Sequence, residues 1–136
     1  MDYRYGPLAR KINLALPPPR LGDGAADVER LVAALGRRLG GAAVGVPLEV
    51  MRRVPHVLRE AGWHVTATVG AFAPGHWELV DLEAGDTTGR HFGLAVDVGT
   101  TTLAACLVDL NTREVLAEDA AGNGQVAEGE VCSSYE

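Results

Sequence analysis

Two apolar runs joined by a short Gly- and Thr-containing motif constrain the fold of this chain more than any other feature. Residues 92–96 (FGLAV) lead into the motif 97–102 (DVGTTT), and residues 103–108 (LAACLV) follow it. Short apolar runs bounded by turn residues are typical of buried strands. A turn at 109–112 (DLNT) then leads to a third strand that begins at 114–117. The pattern therefore predicts two buried strands joined by a loop, with a further strand behind them.

The residue types in this loop suit an anionic ligand. Gly99 lets the backbone approach an anionic group and adopt angles that are closed to other residues. Thr100, Thr101 and Thr102 offer hydroxyl and backbone N–H donors to phosphate oxygens. Asp97, at the exit of a strand, can hold Mg²⁺ beside those phosphates, usually through the water shell of the ion. Asp-x-Gly is also a common turn sequence, and threonine runs are common in ordinary strands. It is the two flanking apolar strands that favour a phosphate loop.

The residues before this motif predict a small structure of helices and strands. Residues 11–16 alternate apolar and polar side chains, as a short strand does. Asp27 is expected to be the N-cap of a helix that extends to about Leu39 and carries one apolar stripe. Pro47 is expected to begin a second helix, in which Pro55 either causes a kink or begins a new turn. The residues expected to face inward on the second helix are Leu48, Met51 and Val54.

A second alternating stretch predicts a strand pair before a domain boundary. Residues 63–69 place apolar side chains on one face and His64, Thr66 and Thr68 on the other, which indicates a half-exposed strand. Residues 77–82 are the expected partner strand, and Trp63 and Trp77 are expected to pack across the pair. The polar, Gly-containing stretch 83–89 then marks a boundary between domains.

Charge and cysteine content exclude several classes of function. The formal net charge is −6, so no nucleic-acid partner is expected, because phosphate contacts need a basic face. Cys106 and Cys132 are the only cysteines, which fits a reducing compartment and is too few for an iron–sulfur cluster held by this chain alone. No apolar run reaches the roughly 18 residues of a membrane span. We therefore expect a cytoplasmic protein with no membrane contact.

The loop and several flanking segments together resemble a known family. Residues 92–102 (FGLAVDVGTTT) are similar to the first phosphate motif of the superfamily of acetate and sugar kinases, heat-shock chaperones and actin. Within that superfamily the chain most resembles the reductive activators of corrinoid-dependent proteins, over about residues 6–131. The segments that carry this closer resemblance are 16–19 (LPPP), 57–66 (VLREAGWHVT), 85–90 (GDTTGR), 108–112 (VDLNT) and 123–125 (NGQ).

The resemblance implies an activity and a set of cofactors. In this family a ferredoxin domain with a [2Fe–2S] cluster precedes the linker, and an actin-like domain hydrolyses ATP with Mg²⁺ while Co(II) corrinoid proteins are returned to Co(I). It implies that Asp97, Gly99, Thr100 and Thr101 contact phosphate or magnesium, with Thr102 as a further candidate. The implied partners are a corrinoid protein or corrinoid-dependent methyltransferase and the ferredoxin domain, and a homodimer is left open.

We therefore expect an α+β fold in two parts. Residues 1–89 would form the linker domain, and residues 90–136 the opening antiparallel hairpin of an actin-like (ribonuclease H-like) ATPase domain. Such a fragment is expected to be inactive alone, because ATP is clamped between two lobes in this superfamily, and its catalytic residues stay unknown. Residues 129–134 depart from the family pattern, which leaves the role of Gln125 open.

Two alternatives remain at this point. The chain could be a fragment of an actin-like sugar or acyl kinase, in which the same hairpin serves phosphoryl transfer. The long stretch before the motif disfavours this alternative, because such kinases usually begin at the phosphate motif. The other alternative is a non-enzymatic module that docks a ferredoxin domain or a corrinoid partner.

Overall fold

The computed structural model describes residues 8–124, and the chain divides into two compact units, Met1–Gly89 and Arg90–Glu136. The elements of the first unit are β1 (Ala9–Ala15), α1 (Asp27–Arg38), β2 (Ala43–Gly45), α2 (Leu48–Glu60), β3 (His64–Ala73) and β4 (His76–Ala84). Its strands lie in the order β1-β3-β4-β2. The inner strand β3 pairs antiparallel with β1 and β4, whereas β2 runs parallel to β4.

An apolar core joins the two helices to the sheet of the first unit. Leu35 on α1, Leu58 on α2 and Val65 on β3 have no solvent-exposed surface. Burying a side chain of this size contributes about 1.5–3 kcal/mol, so these contacts are what holds the helices on the sheet. The buried core consists of Leu14, Leu16, Leu31, Ala34, Leu35, Val50, Val54, Leu58, Val65, Ala67, Val69, Leu79 and Leu82. Among the described residues no helix is long and apolar enough to span a bilayer.

The start of α1 differs from the sequence-based expectation. The N-cap is Ala26, whose backbone N–H donates to Glu29 Oε2 at 3.0 Å. A Glu at the third helical position can satisfy the N-cap amide in this way without a polar residue at the cap itself. The prediction that Asp27 is the N-cap was therefore wrong. Asp27 instead forms an ion pair with Arg59 of α2, with 2.6 Å between Oδ2 and the guanidinium nitrogen.

The inward face of α2 is also shifted from the expected one. The buried residues are Val50, Val54 and Leu58, which recur every four positions and so form one stripe. Leu48 is 59% exposed and Met51 is 39% exposed, so their assignment to the inward face was wrong. Pro55 lies inside the helix, which continues to Glu60. The helix therefore does not end at the proline.

The outer face of β3 is covered at Thr66, whereas His64 on the same face is exposed and Thr68 is half-buried, as a half-exposed strand predicts. Thr66 has no exposed surface, and its hydroxyl donates to the Gly85 carbonyl at 2.7 Å and accepts the Thr87 N–H at 2.9 Å. The segment after β4 thus folds back over the strand, which alternation alone does not reveal. In the same segment, the Thr88 hydroxyl and N–H donate to Asp86 Oδ1 and hold the pKa of that carboxyl below its ordinary value of 3.8.

Trp63 and Trp77 do not pack across a strand pair, so the prediction that they do was wrong. Trp63 lies just before β3 with a φ of 67°, outside the strand ladder, whereas Trp77 lies within β4 opposite Ala71. Each indole ring instead makes a cation–π contact with an arginine. The Arg59 guanidinium lies 5.8 Å from the Trp63 ring centre, and that of Arg10 lies 4.9 Å from the Trp77 ring centre.

The described elements of the second unit are β5 (Phe92–Val98), β6 (Thr102–Asp109) and β7 (Val115–Gly122). They form an antiparallel sheet in the order β5-β6-β7. The expectation of a buried strand was wrong for β5, because Leu94, Val96 and Val98 are 67%, 58% and 70% exposed. Most residues of β6 are half-buried, so the expectation of full burial was wrong for that strand too. No helix among the described residues of this unit covers either face of the sheet. The α+β class is confirmed.

Candidate functional site

Residues 99–101 form the tight connection between β5 and β6. The Gly99 N–H donates to the Thr102 carbonyl at 2.9 Å. A Cβ placed on Gly99 would lie 2.8 Å from that same oxygen, a distance at which the backbone would have to move. Gly99 is therefore required by this close approach. The expectation that it needs backbone angles closed to other residues was wrong, because its φ is outside the left-handed region.

The tip of this loop presents hydrogen-bond donors to solvent. Thr100 and Thr101 are both exposed. Within residues 8–124 their backbone N–H groups and hydroxyls make no hydrogen bond. Adjacent free N–H groups on a tight loop form a concave, positively polarised surface that suits an anion. The exposed amides and hydroxyls of this loop are therefore available as donors to an anion.

Asp97 lies on β5, two residues before Gly99, and its side chain is exposed. Its cross-strand neighbour is Ala104, and Thr102 lies on the same face of the sheet because side chains alternate along a strand. The neighbouring positions on this face hold small residues, which leaves a shallow groove of about 650 Å³ along it. A hydrated metal ion at the Asp97 carboxylate would have room there.

Cys106 is the one cysteine among the described residues, and it lies on the same face as Asp97. It is half-buried and carries a free thiol, with Ala95 and Glu118 as its cross-strand neighbours. Within residues 8–124 no three His, Cys, Asp or Glu side chains are grouped to hold a metal ion. A metal ion at Asp97 would therefore take its other ligands from phosphate oxygens and water.

Asp109 lies at the other end of the β5–β6 pair, opposite Phe92. Its Oδ1 accepts the N–H of Asn111 at 2.8 Å and that of Thr112 at 3.3 Å. These bonds are those of a side chain that initiates a turn. Asp109 therefore serves the β6–β7 turn and lies away from the loop that carries Asp97.

The structure adds one residue that the sequence did not assign to the site. Asn123 follows β7, and its side-chain amide donates to the Gly99 carbonyl at 2.8 Å. Its backbone N–H donates to the Thr101 carbonyl at 2.9 Å. The signal in the sequence is indirect: in a three-stranded antiparallel sheet, the end of the third strand returns to the start of the second. Gln125, the other polar residue of that segment, lies outside the described residues.

Comparison with known proteins agrees with this architecture. A solved structure described as a reductive activator for corrinoid, iron–sulfur protein has a TM-score of 0.76 and 33% sequence identity to this chain. The match covers 93% of this chain and 20% of that one, so the chain spans about a fifth of the length of the protein it resembles. No curated protein matches the chain.

Sequence profiles of two regions of one family match along the chain. Residues 1–89 match the profile described as the RACo linker region, and residues 92–133 match the one described as the RACo middle region. Together with the structural match, these findings confirm the resemblance to reductive activators of corrinoid proteins. The chain therefore belongs to the RACo family, with residues 1–89 in its linker region and residues 92–133 in its middle region.

Proposed function

We propose that this chain is part of an ATP-dependent activator that returns Co(II) corrinoid proteins to Co(I), and that its loop at 97–102 contacts the phosphates of ATP. The observation that carries the phosphate role is the pair of free, exposed N–H groups at Thr100 and Thr101. The similarity to a reductive activator for corrinoid, iron–sulfur protein supports the overall activity.

The loop has the chemistry that a triphosphate requires. The N–H groups of Thr100 and Thr101 would donate to phosphate oxygens, and the two hydroxyls would add further donors. All of these donors are neutral, so no cationic side chain has to be buried. Thr102 contributes its carbonyl to the loop closure and leaves its exposed hydroxyl available. The Asp97 carboxylate would orient the waters of a Mg²⁺ ion bound to the phosphates.

ATP has a physical reason to be needed. Returning a corrinoid to Co(I) is uphill for ordinary reductants, so a coupled hydrolysis supplies the missing free energy. The described residues do not fit an iron–sulfur cluster, because they include one cysteine, whereas such clusters usually take about four thiolates. In this proposal the electrons come from a [2Fe–2S] ferredoxin domain outside this chain.

The two units would have different tasks. Residues 1–89 would link the ferredoxin domain to the ATPase, and residues 90–136 would supply the first strands of an actin-like ATP-binding domain. The partner would be a cytoplasmic corrinoid protein or corrinoid-dependent methyltransferase. In this arrangement residues 97–102 supply one wall of the phosphate site, and ATP turnover requires a second wall opposite it.

The test follows the backbone amides of the loop by NMR while MgATP is added to the ¹⁵N-labelled chain. We expect the signals of Thr100 and Thr101 to shift, with adenosine, which lacks phosphates, producing no shift. Asp97→Asn should weaken MgATP binding about tenfold while leaving Mg²⁺-free ATP binding nearly unchanged, because one charge-assisted contact is removed. Asp119→Asn, an exposed carboxylate on β7, is the matched control.

Two results would contradict the proposal. A response to adenosine as large as that to MgATP would show that phosphate is not what the loop recognises. Hydrolysis of ATP by the purified chain at a clear rate, abolished by Asp97→Ala, would show that no second wall is needed.

A further inference from the structure

We propose that Asn123 is a positioning residue, whose side-chain amide orients the Gly99–Thr100 peptide so that the Thr100 N–H faces the ligand. This inference rests on the proposed phosphate role of the loop. It goes beyond that role because it assigns the geometry of the donors to a residue 24 positions away along the chain.

Three hydrogen bonds between described residues shape the loop. The Asn123 side-chain amide donates to the Gly99 carbonyl at 2.8 Å. The Asn123 backbone N–H donates to the Thr101 carbonyl, and the Gly99 N–H donates to the Thr102 carbonyl, each at 2.9 Å. Two of these three bonds thus come from the residue that follows β7. Asn123 is half-buried, so solvent competes only in part for its amide.

Peptide geometry then fixes the direction of the free donor. Residues 8–124 contain no cis peptide bond, and in a planar trans peptide the C=O and the following N–H point in opposite directions. Because the Gly99 carbonyl points towards Asn123, the N–H of Thr100 points away from it, into the exposed side of the loop. The side chain of Asn123 therefore sets the direction of a donor that it does not touch.

The side chain has to be a donor. A glycine precedes the Gly99–Thr100 peptide, and glycine gives little resistance to rotation of that plane. If the amide were lost, the plane could turn and present the Gly99 carbonyl, rather than the Thr100 N–H, to an anion. An aspartate at 123 has nearly the same shape but no donor, and its charge would repel both the carbonyl and a phosphate.

The test compares Asn123→Ala and Asn123→Asp with the wild-type chain. Both variants keep the backbone N–H that donates to the Thr101 carbonyl. Asn123→Ala removes the side-chain donor, whereas Asn123→Asp removes the donor and adds a negative charge. We expect each to weaken MgATP binding about tenfold, the effect of one lost hydrogen bond in a binding loop. We also expect the Thr100 amide signal to shift and to broaden without any ligand. Asn111→Ala, which removes the same side chain at the other end of the sheet, is the matched control and should change neither.

The ligand-free readout separates this inference from the proposed function. If MgATP does not bind even to the wild-type chain, yet Asn123→Ala alters the Thr100 amide, the phosphate role fails and the positioning role stands. If Asn123→Asp keeps both the wild-type Thr100 signal and the wild-type affinity, the positioning role is overturned. Asn123→Gln, which keeps the amide on a longer stem, should recover part of the affinity. If Asn123→Ala unfolds the sheet, the Asp and Gln variants decide the question in the same way.

Discussion

The loop between β5 and β6 depends on the missing side chain of Gly99 as much as on the donors of Thr100 and Thr101. Thr100 and Thr101 supply donors, whereas Gly99 supplies space: its N–H and the space where a Cβ would sit both face the Thr102 carbonyl. The close backbone contact is what turns the chain sharply enough to leave two neighbouring N–H groups exposed. Gly99 therefore makes possible the tight turn on which the donors of Thr100 and Thr101 are exposed.

We expect Gly99→Ala to destabilise the second unit by about 1–3 kcal/mol, the usual cost of forcing an atom into occupied space. The physical reason is the 2.8 Å approach of the new Cβ to the Thr102 oxygen. Urea unfolding followed by the NMR signals of β6 measures the change. Gly122→Ala is the control, since nothing lies within 4 Å of its Cβ position. Equal stability of the two variants would refute the steric account.

Among the structural elements, β3 shows how a central strand is fastened on both faces. Its inner face contributes Val65, Ala67 and Val69 to the core. Its outer face carries Thr66, which bonds the segment that follows β4 through Gly85 and Thr87. One hydroxyl acts as both donor and acceptor there, and this fixes the chain where it leaves the first unit.

Thr66→Val tests this outer-face attachment. Valine has the same shape and favours strands, but it leaves the buried N–H of Thr87 without its acceptor, so we expect a loss of about 1–3 kcal/mol in the free energy of unfolding. Thr68→Val lies on the same strand and face and makes no side-chain hydrogen bond within the described residues, so it serves as the control. A loss of similar size in Thr68→Val would mean that the hydroxyl of Thr66 is not responsible.

Sequence patterns predicted the elements whose signal is local. The two apolar runs around residues 97–102 correctly indicated β5 and β6, and the alternation at 63–69 indicated most of β3. The pattern does not show β2, because three residues are too few to display a period. It also does not show that Thr66 is buried or that Asn123 reaches Gly99, because both depend on segments far away in the chain.

The two units, each taken by itself, differ in how much core they contain. The buried apolar residues among the described ones all belong to the first unit, and the last of them in the chain is Leu82. The three-stranded sheet of the second unit has its apolar side chains largely exposed, and β7 is exposed along its whole length. Local stability depends on buried apolar contacts. We therefore expect the second unit to unfold locally at a lower free energy than the first.

Hydrogen exchange of the chain should reveal this difference. We expect the amides of Val65 and Ala67, in a buried strand that is paired on both sides, to exchange at least about a hundredfold more slowly than those of β7, a gap of roughly 3 kcal/mol. The amides of β6, an inner strand without a covered face, provide the comparison and should lie between the two. Uniform protection across both sheets would contradict separate stabilities.

The position of β7 at one edge of its sheet has a consequence for solubility. An open edge offers unpaired backbone groups to the strand of another molecule, which is a route to aggregation. Glu118 and Asp119 lie in the middle of this strand, and the register shifts where β7 meets Leu107 and Val108. Adjacent carboxylates and an irregular ladder both oppose edge-to-edge pairing. Thus β7, which is exposed along its whole length, also has a sequence that disfavours pairing with a second copy of the chain.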